Sequence, residues 1–144
     1  MKIIEKTKGL ELDEFMSNPL YAFLASDTDF NPCCSPVWFL WEEEKIWIIS
    51  VKGDSFPKRI AKQPNCAISI VDWDRFSGKS IHAGFRGSAS LKSFDSDRAE
   101  RLLTKYLGDD KSSWNRRFLD FQSNTENVFV CFEPETVVLR DQSY

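Results

Sequence analysis

The chain has 144 residues, the size of one domain, and its 42% hydrophobic and 28% charged residues are typical of a folded globular protein. Its 19 basic and 22 acidic side chains leave a net charge of −3, which argues against a nucleic-acid-binding protein. No apolar run approaches the roughly 20 residues that a membrane-spanning helix needs, and residues 1–15 carry acidic side chains where a signal peptide would be apolar. We therefore expect a single cytoplasmic domain over residues 1–144, with no membrane contact.

The first element in chain order is a short helix, because Leu12, Phe15 and Met16 recur at helical spacing and Pro19 ends it. Short segments rich in aromatic and β-branched residues, separated by turn residues, then predict strands. These strands are residues 21–26, 33–41, 45–51, 66–74, 79–91, 127–132 and 135–140.

Three further helices are predicted between the strands. Asp54 or Ser55 caps a basic helix that ends at Pro64. Asp95 caps the clearest helix, whose apolar residues form one stripe and which Gly108 stops. The last helix starts at Ser112 or Ser113 and carries Trp114, Phe118, Leu119 and Phe121.

Six or seven short strands joined by hairpins, with helices inserted between them, predict an antiparallel barrel of the α+β kind. A doubly wound parallel sheet fits poorly, because several neighbouring strands are joined by turns too short for crossover connections.

The segment with the most functional information is residues 46–64, where a buried strand leads through Gly53 into the basic helix. Unpaired N–H groups and the positive end of the helix dipole favour an anion there, and phosphate is the usual one. Lys58, Arg59 and Lys62 share one side of this helix. The sequence predicts a phosphate site, with a solvated basic helix face as the alternative.

Two strands carry further candidate residues. In HAGFRG, the polar residues His82 and Arg86 share one face with Gly84, and glycines inside a strand indicate a bulge, a close backbone or a ligand. In SPVWF, Trp38 offers either a flat surface for a ring system or packing at a core or dimer interface.

Metal and redox chemistry have few candidate residues. The chain has one histidine and four cysteines with no CxxC spacing, so no zinc site is predicted. We expect the four cysteines to be reduced, buried thiols, and the adjacent pair Cys33 and Cys34 to be packing residues, because vicinal cysteines close only a strained ring.

Taken in order, these segments resemble the FMN-binding split-barrel family related to pyridoxamine 5′-phosphate oxidase. The resemblance rests on SPVWF, on IISVKGDSFPKRIAKQP, and on IHAGFRG followed by DRAERLLTKYLG, and it covers the chain from about Phe15 to Leu139. It implies an α+β, mainly β fold, a six-stranded antiparallel split β-barrel with flanking helices. It also implies a homodimer with two FMN sites at the interface.

The resemblance also implies roles for individual residues. Pro36, Val37, Trp38, Ile49 and Ser50 would line the isoalloxazine ring and the ribityl chain of FMN. Lys52, Ser55, Lys58 and Arg59 would hold the phosphate, and His82 would offer a polar side chain to the ring.

We therefore expect an FMN-dependent oxidoreductase that transfers hydride or electrons through the flavin, with NADH or NADPH as a possible electron donor. No catalytic dyad or triad is predicted, since the cofactor supplies the chemistry. Cys33 and Cys34 stand near an arginine position of the oxidase, and Phe56 and Pro57 occupy basic positions, so we expect a substrate other than pyridoxamine phosphate.

Several alternatives remain open at the level of sequence. One is a non-catalytic protein that stores, senses or carries a flavin, another places a deazaflavin or haem in the same groove, and a third uses the aromatic residues only for dimer packing. Residues 109–121 either close over the flavin or cap the barrel.

Overall fold

The computed structural model describes residues 1–120 and 125–144. These described residues form eight β-strands, three α-helices and two short 3₁₀ helices at Lys111–Ser113 and Arg116–Phe118. The elements in chain order are β1 (Lys2–Lys6), α1 (Leu12–Met16), β2 (Ala22–Ser26), β3 (Cys33–Val37), β4 (Leu40–Glu42), β5 (Lys45–Val51), α2 (Ser55–Lys62), β6 (Asn65–Asp74), β7 (Lys79–Ser93), α3 (Ser96–Leu107) and β8 (Asn127–Asp141). No helix in the described part of the chain is both long and apolar enough to span a membrane.

All eight strands belong to one sheet with the order β3-β2-β6-β7-β8-β5-β4. The neighbours in this order are antiparallel, while β1 runs parallel to the C-terminal half of β8. Strands β3 and β4 form the two edges, so hydrogen bonds do not close the barrel. The expected mainly β, antiparallel split barrel with flanking helices is confirmed.

The strand count differs from the expected six. The N-terminal strand β1 was not anticipated, and the predicted strand over residues 33–41 divides into β3 and β4. The two predicted strands on either side of Pro134 form one continuous strand, β8. Proline has no N–H for the sheet ladder, so β8 continues only because Pro134 lies at an irregularity of the pairing.

That irregularity is a β-bulge between β7 and β8. Arg86 pairs with Thr136 and Gly87 with Pro134, so Glu135 has no opposite residue. A side chain at position 87 would run into the backbone of Glu133. Of the three explanations offered for the glycines of HAGFRG, the bulge and the close backbone both apply at Gly87.

Two apolar clusters stabilise the fold. The larger one fills the inside of the barrel, where Ile60 of α2 is buried among residues that include Leu24, Phe39, Ile46, Ile48, Ile68, Phe85 and Phe132. The smaller one lies between α3 and the other face of β5 and β8, with Trp47, Leu102, Leu103 and Phe129 at its centre. The capping of α3 is as predicted: Asp95 accepts hydrogen bonds from the N–H groups of Asp97 and Arg98, and Gly108 has a φ of 87°.

The prediction of a helix that starts at Ser112 or Ser113 is wrong. The chain forms two 3₁₀ helices there, capped by Asp110 and Asn115, whose side chains compete with the backbone for hydrogen bonds. Trp114 is buried between them and donates from Nε1 to the carbonyl oxygen of Gly108 at 2.9 Å. Phe121 lies outside the described residues.

The cysteines are free, but they are not all buried. Cys66 and Cys131 are buried, Cys33 is half-buried, and Cys34 is exposed on the edge strand β3. The expectation of four buried thiols is therefore wrong for Cys34. Burial raises the pKa of the Cys66 thiol to about 11, so this thiol is unreactive near neutral pH.

Candidate functional site

A cavity of about 300 Å³ lies between the β2–β3 loop and helix α2. The loop wall consists of Asp27, Thr28, Asp29 and Phe30, and the helix wall consists of Ser55, Lys58, Arg59, Lys62 and Gln63. The structure thus brings together three predicted phosphate residues, Ser55, Lys58 and Arg59.

Arg59 is held at the wall of this cavity by two serine hydroxyls and an aromatic ring. Its Nη2 donates to Ser35 Oγ at 3.0 Å, and its Nη1 donates to Ser55 Oγ at 3.5 Å. Its guanidinium carbon lies 5.6 Å from the ring centroid of Phe56. Its Nε is buried and has no hydrogen-bond partner among the described residues. A guanidinium that two serines hold in place, with further N–H groups still unused, matches the needs of a phosphate oxygen.

The start of α2 also has unused hydrogen-bonding capacity. Asp54 occupies the N-cap position in an extended conformation, but its side chain accepts no hydrogen bond from the first turn. Pro57, in that turn, is buried and has no N–H. The N-terminal end of α2 therefore adds the positive end of its dipole to the charges of Lys58 and Arg59.

Lys52 and Ser50 lie apart from this cavity. Lys52 is exposed in the turn before α2, and its N–H donates to the carbonyl oxygen of Glu126 at 2.8 Å. Its backbone is therefore used by the fold, and only its side chain is available to a ligand. Ser50 is half-buried near the end of β5.

A second cavity, of about 320 Å³, lies between β3, β5 and α3. Its walls are mainly aliphatic and aromatic, with one basic side chain: Val37, Trp38, Ile48, Ile49, Leu102, Leu103, Arg117 and Phe118. Three predicted ring-binding residues, Val37, Trp38 and Ile49, therefore meet here. Pro36 is exposed on the opposite face of β3, where it pairs with Phe23.

Trp38 is packed against other rings. Its centroid is 4.6 Å from that of Tyr106, with planes 3° apart, and 5.5 Å from that of Phe118, with planes 25° apart. Its flat surface is therefore in contact with α3 and with the second 3₁₀ helix. A ring-shaped ligand in this cavity would contact the aliphatic walls or displace Phe118.

His82 lies on the outer face of the sheet, between Val71 of β6 and Arg140 of β8. Among the described residues that line the two cavities above, His82 does not appear. The same outer face carries a broad groove of about 650 Å³ whose lining includes Phe23, Gly84 and Val138. Within one chain, His82 is thus separate from the predicted phosphate and ring residues.

Sequence reasoning missed two partners of the basic residues in the first cavity. Ser35, which accepts from Arg59, and Asp29, which pairs with Lys62, come from β3 and the β2–β3 loop. The partners in the first contact are 24 positions apart in the sequence, and those in the second are 33 positions apart. No periodic pattern connects segments so distant. Among the described residues, no three His, Cys, Asp or Glu side chains are grouped to hold a metal ion.

No family model matches the chain, and no curated protein matches its sequence. Its structure is similar to that of the conserved hypothetical protein Rv2991 from Mycobacterium tuberculosis, with a TM-score of 0.72 and 16% identity over 92% of this chain and 85% of the other. It is also similar to an F420 reductase, with a TM-score of 0.67 and 19% identity over 91% and 97%.

A putative pyridoxamine 5′-phosphate oxidase from Listeria innocua superposes with a TM-score of 0.61 and 18% identity, over 86% of this chain and 89% of the other. Identities this low establish the fold. The chain therefore has the split-barrel fold of the pyridoxamine 5′-phosphate oxidase-like proteins.

Proposed function

We propose that this chain is a single-domain flavoprotein that binds FMN and acts as an oxidoreductase on a substrate other than pyridoxamine phosphate. The observation that carries the proposal is Arg59, held between two serine hydroxyls beside Lys58 at the wall of a cavity. Two cations and a helix N-terminus are groups that favour a terminal phosphate.

The spacing of the two cavities supports FMN as the ligand. Ser35, which accepts from Arg59 of the phosphate cavity, and Val37, at the apolar cavity, lie two residues apart on one face of β3, about 7 Å along the strand. A short polyol chain spans such a distance. FMN carries its phosphate and its ring at the two ends of a ribityl chain, so its ends match the two cavities.

The size of the cavities supports a site shared between two chains. Pockets for cofactors typically measure about 300–1,000 Å³, and each cavity here lies at the lower end of that range, at about 300 and 320 Å³. Neither one encloses a whole FMN. We propose that a second copy of the chain covers the rest of the cofactor.

The outer face of the sheet supports homodimer formation. Phe23, Val71 and Trp73 lie on it with 43%, 45% and 58% of their surface exposed. A contiguous apolar patch of this kind usually marks an interface. His82, on the same face, would then lie at the dimer interface, where it can offer a polar side chain to the flavin ring.

Sedimentation velocity tests the dimer. We expect the wild type to sediment as a dimer and Val71→Lys to sediment as a monomer, because a charge in the middle of an apolar interface is costly. Leu91→Lys introduces the same charge at an exposed leucine on the opposite face of β7 and should remain a dimer. A monomeric wild type would contradict the shared site.

When bound, FMN supplies hydride or electron transfer. The chain supplies position: Lys58 and Arg59 would fix the phosphate, and Val37, Ile49 and Phe118 would exclude water around the ring. The rate at which NADH or NADPH reduces the bound flavin distinguishes an enzyme from a carrier, because flavin bound to a carrier is reduced no faster than free FMN.

The central experiment is a visible absorbance spectrum of the purified protein, repeated after FMN is added and the excess removed. A retained flavin band supports the proposal, and the lack of a band in both samples overturns it. Lys58→Ala and Arg59→Ala should each weaken FMN binding by about 1–3 kcal/mol and leave riboflavin binding unchanged. Lys92→Ala, an exposed cation on β7, is the matched control.

The similarity to an F420 reductase favours a deazaflavin as the second candidate ligand. The same titration with F420 in place of FMN decides between them. Tighter binding of F420 than of FMN would move the proposal to the deazaflavin.

A further inference from the structure

The phosphate cavity has one acidic and one basic wall. The basic wall carries Lys58, Arg59 and Lys62 from α2, and the opposite wall carries Asp27 and Asp29 from the β2–β3 loop. Asp29 and Lys62 form an ion pair that joins the two walls. One of the three cations is therefore already neutralised by the protein itself, which leaves Lys58 and Arg59.

The loop that carries Asp29 is an ordered turn. Thr28 Oγ1 donates to the carbonyl oxygen of Asn31 at 2.6 Å and accepts from the N–H groups of Phe30 and Asn31 at 3.2 and 3.1 Å. Asp27 accepts from the N–H of Thr28 at 3.0 Å. Local hydrogen bonds thus define the turn, and the Asp29 carboxylate is presented to α2.

The ion pair contributes little to the stability of the fold. The side chains of Lys62 and Asp29 are 66% and 61% exposed, and exposed pairs of this kind add little to the stability of a protein. Substitution of Asp29 therefore leaves the fold intact. Its effect on an anion in the adjacent cavity can then be measured without a change in folding.

We propose that Asp29 determines how strongly this site selects ligands that carry a phosphate. The Asp29 carboxylate competes with the ligand phosphate for Lys62 and holds this cation away from it. The inference rests on the proposed phosphate site and adds an acidic residue that weakens phosphate binding. Any phosphate monoester would meet the same charged groups, so FMN and inorganic phosphate are the probes. Riboflavin, which lacks the phosphate, is the control.

The first test is the FMN affinity of Asp29→Asn, measured by quenching of flavin fluorescence at low salt. Removal of the competing carboxylate frees Lys62, so FMN should bind about two- to fivefold more tightly, the range of one exposed ion pair. Riboflavin, which lacks the phosphate, should bind as in the wild type. Unchanged FMN affinity would overturn the inference.

Two further variants separate competition for Lys62 from a general effect of charge. Asp27→Asn removes a carboxylate from the same loop and cavity wall, and it should give a smaller gain because Asp29 is the partner of Lys62. In a Lys62→Gln background, Asp29→Asn should lose most of its effect. An equal gain from Asp27→Asn, or an undiminished gain without Lys62, would contradict the proposal.

Inorganic phosphate separates this inference from the flavin proposal. Phosphate should raise the Tm of Asp29→Asn more than that of the wild type. If phosphate does so but neither protein binds FMN, the anion site stands and the flavin proposal fails. If the wild type binds FMN and Asp29→Asn behaves like it with both ligands, only the role of Asp29 fails.

Discussion

The rings of Trp38 and Tyr106 stack nearly parallel, with centroids 4.6 Å and planes 3° apart. The Tyr106 hydroxyl also donates to the carbonyl oxygen of Leu20 at 2.7 Å and accepts from the N–H of Phe39 at 3.1 Å. One side chain of α3 therefore fixes the backbone on both sides of the β2–β3 hairpin. Because Trp38 lines the apolar cavity, Tyr106 also holds one wall of the proposed ring site.

Tyr106→Phe should lower the free energy of unfolding by about 1–3 kcal/mol, since it leaves the N–H of Phe39 and the carbonyl of Leu20 without their partner. Tyr106→Leu should cost about 0.5–1.5 kcal/mol more, because it also removes the stacking on Trp38. Urea unfolding followed by tryptophan fluorescence measures both. Equal stability of the two variants would show that the stacking contributes nothing.

Replacing either of two serines on adjacent strands with alanine should change the stability of the fold, but in opposite directions. Ser26 is 3% exposed, and its hydroxyl has no hydrogen-bond partner among the described residues, whereas Ser35 Oγ accepts from Arg59. Ser26→Ala should raise the free energy of unfolding by about 1 kcal/mol, because an unsatisfied buried hydroxyl is removed. Ser35→Ala should lower it by a similar amount.

Each of these two variants serves as a control for the other, because both serines lie on the inner face of the β2–β3 pair. A loss of stability in Ser26→Ala would mean that its hydroxyl has a partner, such as an enclosed water. Thermal unfolding under one buffer condition is sufficient, since only the sign of each change matters.

Local pattern was enough to predict most of the fold. The stripe of apolar residues and the Asp95 and Gly108 caps defined α3. Segments rich in aromatic and β-branched residues between turns placed the strands β2, β5, β6 and β7. The strand β1 escaped prediction because all five of its residues are exposed, so no alternating pattern marks it. Its position depends on the edge that β8 leaves open beyond β5.

The candidate site was predictable only in part. Lys58, Arg59 and Ser55 lie on one helix turn, and helical spacing alone places them together. Ser35 and Asp29 meet Arg59 and Lys62 of this helix through tertiary contacts, which no local pattern encodes. The stacking of Trp38 could not be predicted either, because its partner Tyr106 lies in a helix 68 positions later in the chain.

The two glycines of HAGFRG should tolerate alanine very differently. At position 87 a methyl group would meet the Glu133 backbone, which cannot move without breaking the bulge. At position 84 the nearest atom is Cγ2 of Val138, 3.2 Å away, and this side chain can shift. We expect Gly87→Ala to lower the free energy of unfolding by at least about 2 kcal/mol and Gly84→Ala by less than about 1 kcal/mol.

Chemical denaturation of the two variants checks this prediction. A small effect at Gly87 would mean that the bulge relaxes without cost. Gly84→Ala also probes the outer face: if the proposed dimer needs a close approach there, this variant weakens association while its monomer remains folded.

The ammonium of Lys105 is partly buried beneath α3. Its Nζ donates to the carbonyl oxygens of Met16 at 2.9 Å and Phe39 at 3.1 Å, and it lies 3.5 Å from the ring centroid of Phe39. Burial lowers the pKa of Lys105 from 10.5 to about 7. The folded protein therefore loses this proton at a lower pH than the unfolded chain does.

The sign of the resulting pH dependence follows from proton counting. Between about pH 7 and pH 10 the unfolded chain keeps the Lys105 proton and the folded chain has released it, so stability rises with pH in this window. Below about pH 7 both states are protonated and the contribution no longer changes. We expect the free energy of unfolding to rise by on the order of 1 kcal/mol between about pH 7 and about pH 8.5 through this group.

Lys105→Met is the matched variant, because methionine retains an unbranched apolar stem and does not titrate. Urea unfolding of both proteins at the two pH values gives the difference in slope. The wild type should gain stability relative to Lys105→Met as the pH rises, because all other titrating groups are common to both. Parallel pH profiles would mean that the two carbonyl oxygens and the Phe39 ring keep Lys105 protonated in the folded state, as favourable contacts to an ammonium do.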